Sequence, residues 1–281
     1  SVNFSDKYWE LVFQKFIDGL NRGITPNPDI FCNKEIKFNY FLDHALSMGC
    51  DKLATGHYAK IRNIDGKYTL NIPKDKKKDQ TYFLYIANQS ILKNLIFPLD
   101  DINKDDVKQI AKSFDIKIYK KKESMGICFI GKKNYTNLIS KYIKNAPGKI
   151  VDENGSVVGT HNGLFFYTIG QRKGIGIGGK KNRSEDPWYV IDKNLNKNYL
   201  VVSQDTQKLE YKGKIELDDV NWINMIPTKQ KIYKARFRHG GKLLPVILDH
   251  DKGKWFLDLK TNERAITCGQ SAVVYDDDEC I

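Results

Sequence analysis

The sequence predicts an α/β layer followed by two β-rich parts. Three observations carry that expectation. In the first part, apolar residues recur at three- and four-residue spacings and alternate with short strand-like runs. From about Gly148 the apolar period becomes two, and Gly, Asp and Asn turns become frequent. The chain has 281 residues, 41% of them hydrophobic and 12% aromatic, which is enough for several cores and too apolar for a disordered chain.

The elements follow in order. Between residues 2 and 20, Phe4, Tyr8, Leu11, Val12, Phe16 and Ile17 fall on one face of a helix. Gly23, Pro26 and Pro28 interrupt it. A second helix carries Ile36, Phe38, Phe41, Leu42, Ala45 and Leu46 and stops near Gly49. Residues 52–55 read as a buried strand ending at Gly56. Asn103 is the expected N-cap of a helix running through Phe114. A further helix is expected around residues 134–142. Residues 188–192 and 199–202 flank 193–196 as a hairpin. Strands at 231–237, 243–248, 254–259 and 271–275 suggest a small barrel or sandwich. Boundaries near 132 and 206 give three domains: 1–132, α/β; 133–205, a small central β-rich part with one helix; and 206–281, a β-barrel.

Charge and cysteine content narrow the function classes. Lys+Arg is 46 and Asp+Glu is 34, a formal charge of +12 that favours a polyanionic partner. Lys far outnumbers Arg, however, and an A/T-rich coding bias would raise Lys without any function. No apolar run approaches the roughly 18 residues of a membrane span, so no membrane association is expected. Five cysteines at irregular spacing, with no CxxC pair, argue against a secreted disulfide framework or a structural zinc site. With no signal-peptide pattern at Ser1, a cytoplasmic location is expected.

Five segments hold the chemistry-bearing residues. In Gly23–Asn33 the Pro26-Asn27-Pro28-Asp29 run makes a stiff loop that presents Asn27, Asp29 and Cys32 at fixed positions. A cysteine in the first turn of a helix gains thiolate character from the positive end of the dipole; taken alone, Cys32 reads first as a small buried core residue. In the second segment, Gly56 and His57 close the 52–55 strand, where α/β sheets bind ligands; a packed histidine is the competing reading. The third, Lys78-Asp79-Gln80 before Thr81-Tyr82-Phe83, suits RNA edges or phosphates, or caps a helix. The fourth places Cys128 between Gly126 and Gly131 in an apolar stretch. The fifth, residues 165–180, interleaves glycines with Arg172, Lys173 and Lys180 and fits neither the dinucleotide fingerprint nor the Walker A loop.

Together, TPNPDIFCNKEIKF, ATGHYA, KDQTYFLY, GICFIG, YTIGQRKGIGIGG and CGQSAVVY resemble the tRNA-specific 2-thiouridylases, in family order and across nearly the whole chain. The resemblance implies a PP-loop ATPase domain of the α/β nucleotide-hydrolase class, a central domain and a C-terminal β-barrel. It also implies ATP, with Mg2+ and no tightly bound metal, as cofactor. The activity implied is adenylation of the wobble uridine of tRNA at its C2 oxygen and displacement of AMP by a cysteine persulfide, giving 2-thiouridine. A cysteine desulfurase or a relay protein would be the sulfur donor. By matched motif, Cys128 would carry the persulfide and Cys32 would be the second catalytic cysteine, able to form a transient disulfide with it. Asn27, Pro28 and Asp29 would meet the target base, with Asp29 an acid/base candidate. Gly56 would line the ATP site and His57 would sit near the tRNA, while Lys78, Asp79, Gln80, Arg236, Phe237 and Gln270 match tRNA-contacting positions.

The chain departs from the family in places. A Ser-Gly-Gly-x-Asp-Ser type phosphate loop is absent, Met125 stands where Thr is usual and Lys132 where Glu is frequent. Residues 1–281 alone are therefore expected not to bind ATP productively, and an uncovered α/β sheet edge is expected to lower solubility. The competing function is an RNA-binding fragment or degenerate homologue without catalysis. Cys50, Cys268 and Cys280 match no functional position and are expected to be structural.

Overall fold

The chain is helical over residues 5–21, as Ser5–Tyr8, a π-type stretch Trp9–Phe13, and Gln14–Asn21. Its inward face buries Val12, Phe13, Phe16, Ile17 and Leu20. It ends at Gly23 (φ +77°). There the Ile24 N–H donates to the Gly19 carbonyl at 3.2 Å and the Gly23 N–H to Leu20 at 2.9 Å, a Schellman cap. These coordinates are a computed structural model that describes residues 1–120, 135–143, 146–177, 186–224 and 226–281.

The second helix starts earlier than the apolar spacing indicates. It comprises Pro28–Phe31, a π-type Cys32–Phe41 and Leu42–Ser47. Asn27 caps it, its side chain accepting from the Asp29 N–H at 3.1 Å, with Pro28 at the first helical position. The strand Leu53–Ala54 follows and pairs in parallel with Leu95–Ile96. The helix foreseen after Asn103 runs Lys104–Ser113, but its cap differs from the expectation. Asn103 Nδ2 turns to Asp106, and the Lys104 N–H is instead met by Asp75 Oδ2 at 2.9 Å. A side chain from another segment has satisfied the orphan donor.

The main sheet has eight antiparallel strands, in the order Lys214–Leu217, Lys254–Leu259, Leu244–Asp251, Ile232–Arg236, Val273–Asp276, Glu279–Cys280, Lys67–Asn71, Lys60–Ile64. It joins the C-terminal strands to a hairpin from the first part of the chain. That hairpin turns at Asp65-Gly66, both with positive φ (50° and 82°), the geometry that Asp-Gly favours. The central region holds a helix Tyr135–Ile139 and a four-stranded sheet, Val157–His161, Gly148–Asp152, Tyr199–Ser203 and Tyr189–Asn194. Its inner pair is parallel, and the 189–203 hairpin is the one read from the sequence.

Packing crosses the chain in two places. One core takes Ile30, Phe38, Leu53, Leu70, Tyr82 and Leu95 together with Val273, Tyr275 and Cys280. A second sets Phe13, Phe16, Ile17 and Leu20 against Ile139, Ile143 and Phe165.

Candidate active site and RNA-facing surface

The stretch over residues 23–25 that leads into the Pro-Asn-Pro-Asp run is clamped by both later parts of the chain. From the central region, Leu195 lies where a Cβ on Gly23 would be, at 2.9 Å. From the C-terminal region, the Cys268 carbonyl accepts the Thr25 N–H at 3.3 Å, and Gln270 Nε2 donates to the Thr25 carbonyl. Gly269 makes this approach possible: its φ is +87°, and a Cβ there would meet Ile24 Cβ at 3.0 Å. The same loop touches the central region, because a Cβ on Gly170 would fall 2.5 Å from Ala265 Cβ.

Cys32 is 1% exposed and packs with Val12 and Ile36 between the two helices. It lies in the second helical turn, not the first as the sequence suggested, because Asn27 and Pro28 start the helix four residues earlier. Dipole assistance falls off within the first turn, so that argument for a thiolate is weakened. Asp29 stands in that first turn, after the buried Pro28. Cys128, with its flanking glycines, lies outside the described residues.

Gly56 follows the end of the Leu53–Ala54 strand, and an added Cβ there would meet nothing within 4 Å. The backbone at this strand end is open to a ligand, which fits a nucleotide beside Gly56. Next to it, His57 Nδ1 meets Thr55 Oγ1 at 2.8 Å and Nε2 meets Lys37 Nζ at 3.4 Å. A lysine ammonium can only donate, so Nε2 accepts and Nδ1 carries the proton toward Thr55. Burial, and then the Lys37 charge, push the His57 pKa down to about 3, so the ring is neutral.

The Lys78-Asp79-Gln80 corner is largely folded inward. Asp79 is 3% exposed; its Oδ1 accepts from Thr81 N (2.9 Å) and Oγ1 (2.7 Å), and its Oδ2 from Arg236 Nη1 (2.7 Å). Gln80 Oε1 accepts the Tyr58 N–H at 2.8 Å, which ties the corner to the His57 strand end. The Phe237 carbonyl accepts from the Tyr82 hydroxyl at 3.3 Å. Lys78 is half-buried. The residues matched to tRNA contact are thus gathered around one seam, with Asp79 and Arg236 occupied by each other.

Further residues, with no role assigned from the sequence, belong to this seam. Asn33, 2% exposed, donates to the Phe83 carbonyl at 2.9 Å. The Phe83 ring lies 4.6 Å from the His239 ring. Thr25 Oγ1, Asn33 Oδ1 and Arg236 Nε are buried without a hydrogen-bond partner among the described residues. Each such atom costs about 1–3 kcal/mol, and their gathering here is what a ligand-completed site predicts. Of the remaining cysteines, Cys280 is buried as expected, but Cys50 and Cys268 are exposed and contribute no packing. Among the described residues, no cluster of His, Cys, Asp and Glu is arranged to hold a metal ion, and no helix is long and apolar enough to cross a membrane.

The chain matches three family descriptions in succession: "tRNA methyl transferase HUP domain" over residues 1–132, "tRNA methyl transferase PRC-barrel domain" over 136–204, and "Aminomethyltransferase beta-barrel domain" over 212–281. Its whole length is 43% identical over 282 residues to a tRNA-specific 2-thiouridylase MnmA of Ruthia magnifica, covering 78% of that protein. It is 45% identical to the protein of the same name from Buchnera aphidicola, covering 77% of it. To tRNA-specific 2-thiouridylase MnmA 1 of Geobacillus kaustophilus it is 43% identical, covering 76%.

Proposed function

Because the chain belongs to the tRNA-specific 2-thiouridylase family, we propose that it takes part in ATP-dependent sulfur transfer to the wobble uridine of tRNA, through a persulfide on Cys128. The observation that carries this reading is the Asn27–Cys32 segment. It is a capped, proline-stiffened helix start with a thiol one turn further on, and residues of both later regions grip the 23–25 stretch that leads into it. A flipped base needs such a preset wall.

Asn27, Pro28 and Asp29 contact the target base, and the Asp29 carboxyl moves a proton on it. ATP, when bound, would supply the adenylyl group that turns the C2 oxygen into a leaving group, with Mg2+ as its counter-ion, and Gly56 would line its site. The terminal sulfur of the Cys128 persulfide forms the new C2–S bond as the C2–O bond breaks. The Cys32 thiolate attacks the inner Cys128 sulfur, so the S–S pair leaves with the transferred sulfur and a Cys32–Cys128 disulfide remains, which an external thiol reduces. Cys32 is 1% exposed, so docking of the substrate must uncover it. His57, neutral at working pH, is a hydrogen-bonding group near the tRNA, not a cation. Lys78, Asp79, Gln80, Arg236, Phe237 and Gln270 form the tRNA-facing seam, in which the Asp79–Arg236 pair acts as a brace. A cysteine desulfurase or a relay protein loads the sulfur.

Incubation with a desulfurase and cysteine, followed by peptide mass spectrometry, tests the reading. A gain of about 32 Da on the Cys128 peptide, lost on reduction, is expected from persulfide exchange. An unmodified Cys128 under conditions that load an authentic thiouridylase would overturn it.

A further inference from the structure

Beyond the target-base loop, we propose that His239 and Phe83 form a stacking platform for a second nucleobase of the RNA, one that flanks the target uridine. The inference rests on the 2-thiouridylase reading and adds a subsite to it. The two rings lie 4.6 Å apart, tilted by 39°. His239 is exposed beside the half-buried Phe83, which leaves imidazole surface for a base. Both rings are fixed to the reacting centre from behind. The Phe83 carbonyl holds Asn33, the residue after Cys32. Arg236, three residues before His239, is tied to the buried Asp79 carboxylate.

The electrostatics suit a base better than a phosphate. Partial desolvation of the inner side of the ring, then the Arg236 charge, hold His239 below its ordinary pKa although the residue is exposed overall, against the opposing pull of Asp79 and Asp29, with Lys78 acting in the same direction as Arg236. The ring is neutral near pH 7 and offers a π face without a fixed charge. Asp29, from the target-base loop, is near enough for its charge to act on this ring. RNA readers splay single-stranded bases onto such His and Phe faces, and a base on His239 would lie beside the one held by Asn27 and Asp29. Among the described residues, Asn33 Oδ1 and Arg236 Nε, on the two residues that tie the rings down from behind, are buried polar atoms without hydrogen-bond partners, as at a site shaped for a guest.

The test is binding of a fluorescent anticodon stem-loop RNA to the full chain, measured by polarisation. Wild type is compared with His239→Ala and His239→Phe, on the intact RNA and on RNAs with an abasic nucleotide on either side of the target uridine. His239→Ala is expected to weaken binding of the intact RNA about tenfold, and His239→Phe, which keeps a stacking ring, by no more than about twofold. One of the abasic RNAs should weaken wild-type binding by a similar factor and leave His239→Ala unaffected further. Wild-type binding indifferent to both abasic RNAs overturns the platform, and this arm needs no variant to fold. So does a His239→Ala variant that binds the intact RNA as wild type does. A wild-type chain that binds no stem-loop at all defeats the 2-thiouridylase reading itself, and the platform with it.

Discussion

His57 shows how a single residue couples the site to pH. Its folded pKa, about 3, lies below the ordinary 6.5, so the unfolded chain takes up a proton first as the pH falls. The neutral ring's contribution is intact above about 6.5 and is lost progressively as the pH drops toward about 3. Urea midpoints should therefore fall between about pH 7 and pH 5, and His57→Gln should flatten that decline. An equally steep decline in the variant would contradict the assignment. The Asp79–Arg236 pair makes a different residue-scale demand. Arg236→Met leaves Asp79 buried with Thr81 as its one hydrogen-bond partner among the described residues, and a loss of about 3 kcal/mol or more is expected by denaturant unfolding. The double variant Asp79→Leu/Arg236→Met should recover part of it; a loss no greater than that of an exposed ion pair would show that the two do not act as a brace. Thiol labelling separates the cysteines. Cys50 and Cys268 are exposed and should react promptly, whereas Cys280, buried and with its pKa pushed up by burial, should react only on unfolding. At this scale the motifs were legible because Asn27, Pro28, Asp29 and Cys32 are neighbours in sequence. The Asp79–Arg236 contact spans 157 positions, and nothing local encodes it.

At the scale of elements, the loop over residues 265–271 is the hinge of the design. It reaches Gly170 on one side and Ile24 and Thr25 on the other. Gly269→Ala would place a methyl against Ile24 in a backbone conformation disfavoured for alanine, so a destabilisation of more than about 1 kcal/mol is expected. Hydrogen exchange at the Thr25 amide should quicken by about tenfold or more with it, because that amide is bonded to Cys268. Unchanged exchange would mean that the clamp does not hold the target-base loop. Strands and helices with a clean apolar period were legible, including the 189–203 hairpin and the strand Lys254–Leu259. The Lys60–Asn71 hairpin was not foreseen: Asp65-Gly66 is a turn signal, but the flanking residues do not alternate cleanly, and the partner strand lies near the other end of the sequence. The cap of the Lys104 helix escaped a local reading for the same reason: Asp75 supplies it from 29 residues away.

For the whole molecule, two strand residues, Glu279 and Cys280, join what composition divides. They pair with Tyr275 and Asp276 on one side and with Leu70 and Asn71 on the other, and Cys280 enters the core shared with Leu53 and Leu95. The first and last parts of the chain should consequently unfold in one transition. Fluorescence and far-UV signals should coincide in urea, and Cys280→Asp, which puts a carboxylate into that core, should lower both midpoints together. Two separated transitions in the wild type would refute this joint behaviour. The fold class was legible because period and turn chemistry report layers, whereas the pairing of layers is set by shape complementarity that no spacing records. The short Glu279–Cys280 strand also sets a timetable. During synthesis on the ribosome the Lys67–Asn71 edge emerges long before its partner is made, and it stays open to the wrong company until the final codons of this segment are translated.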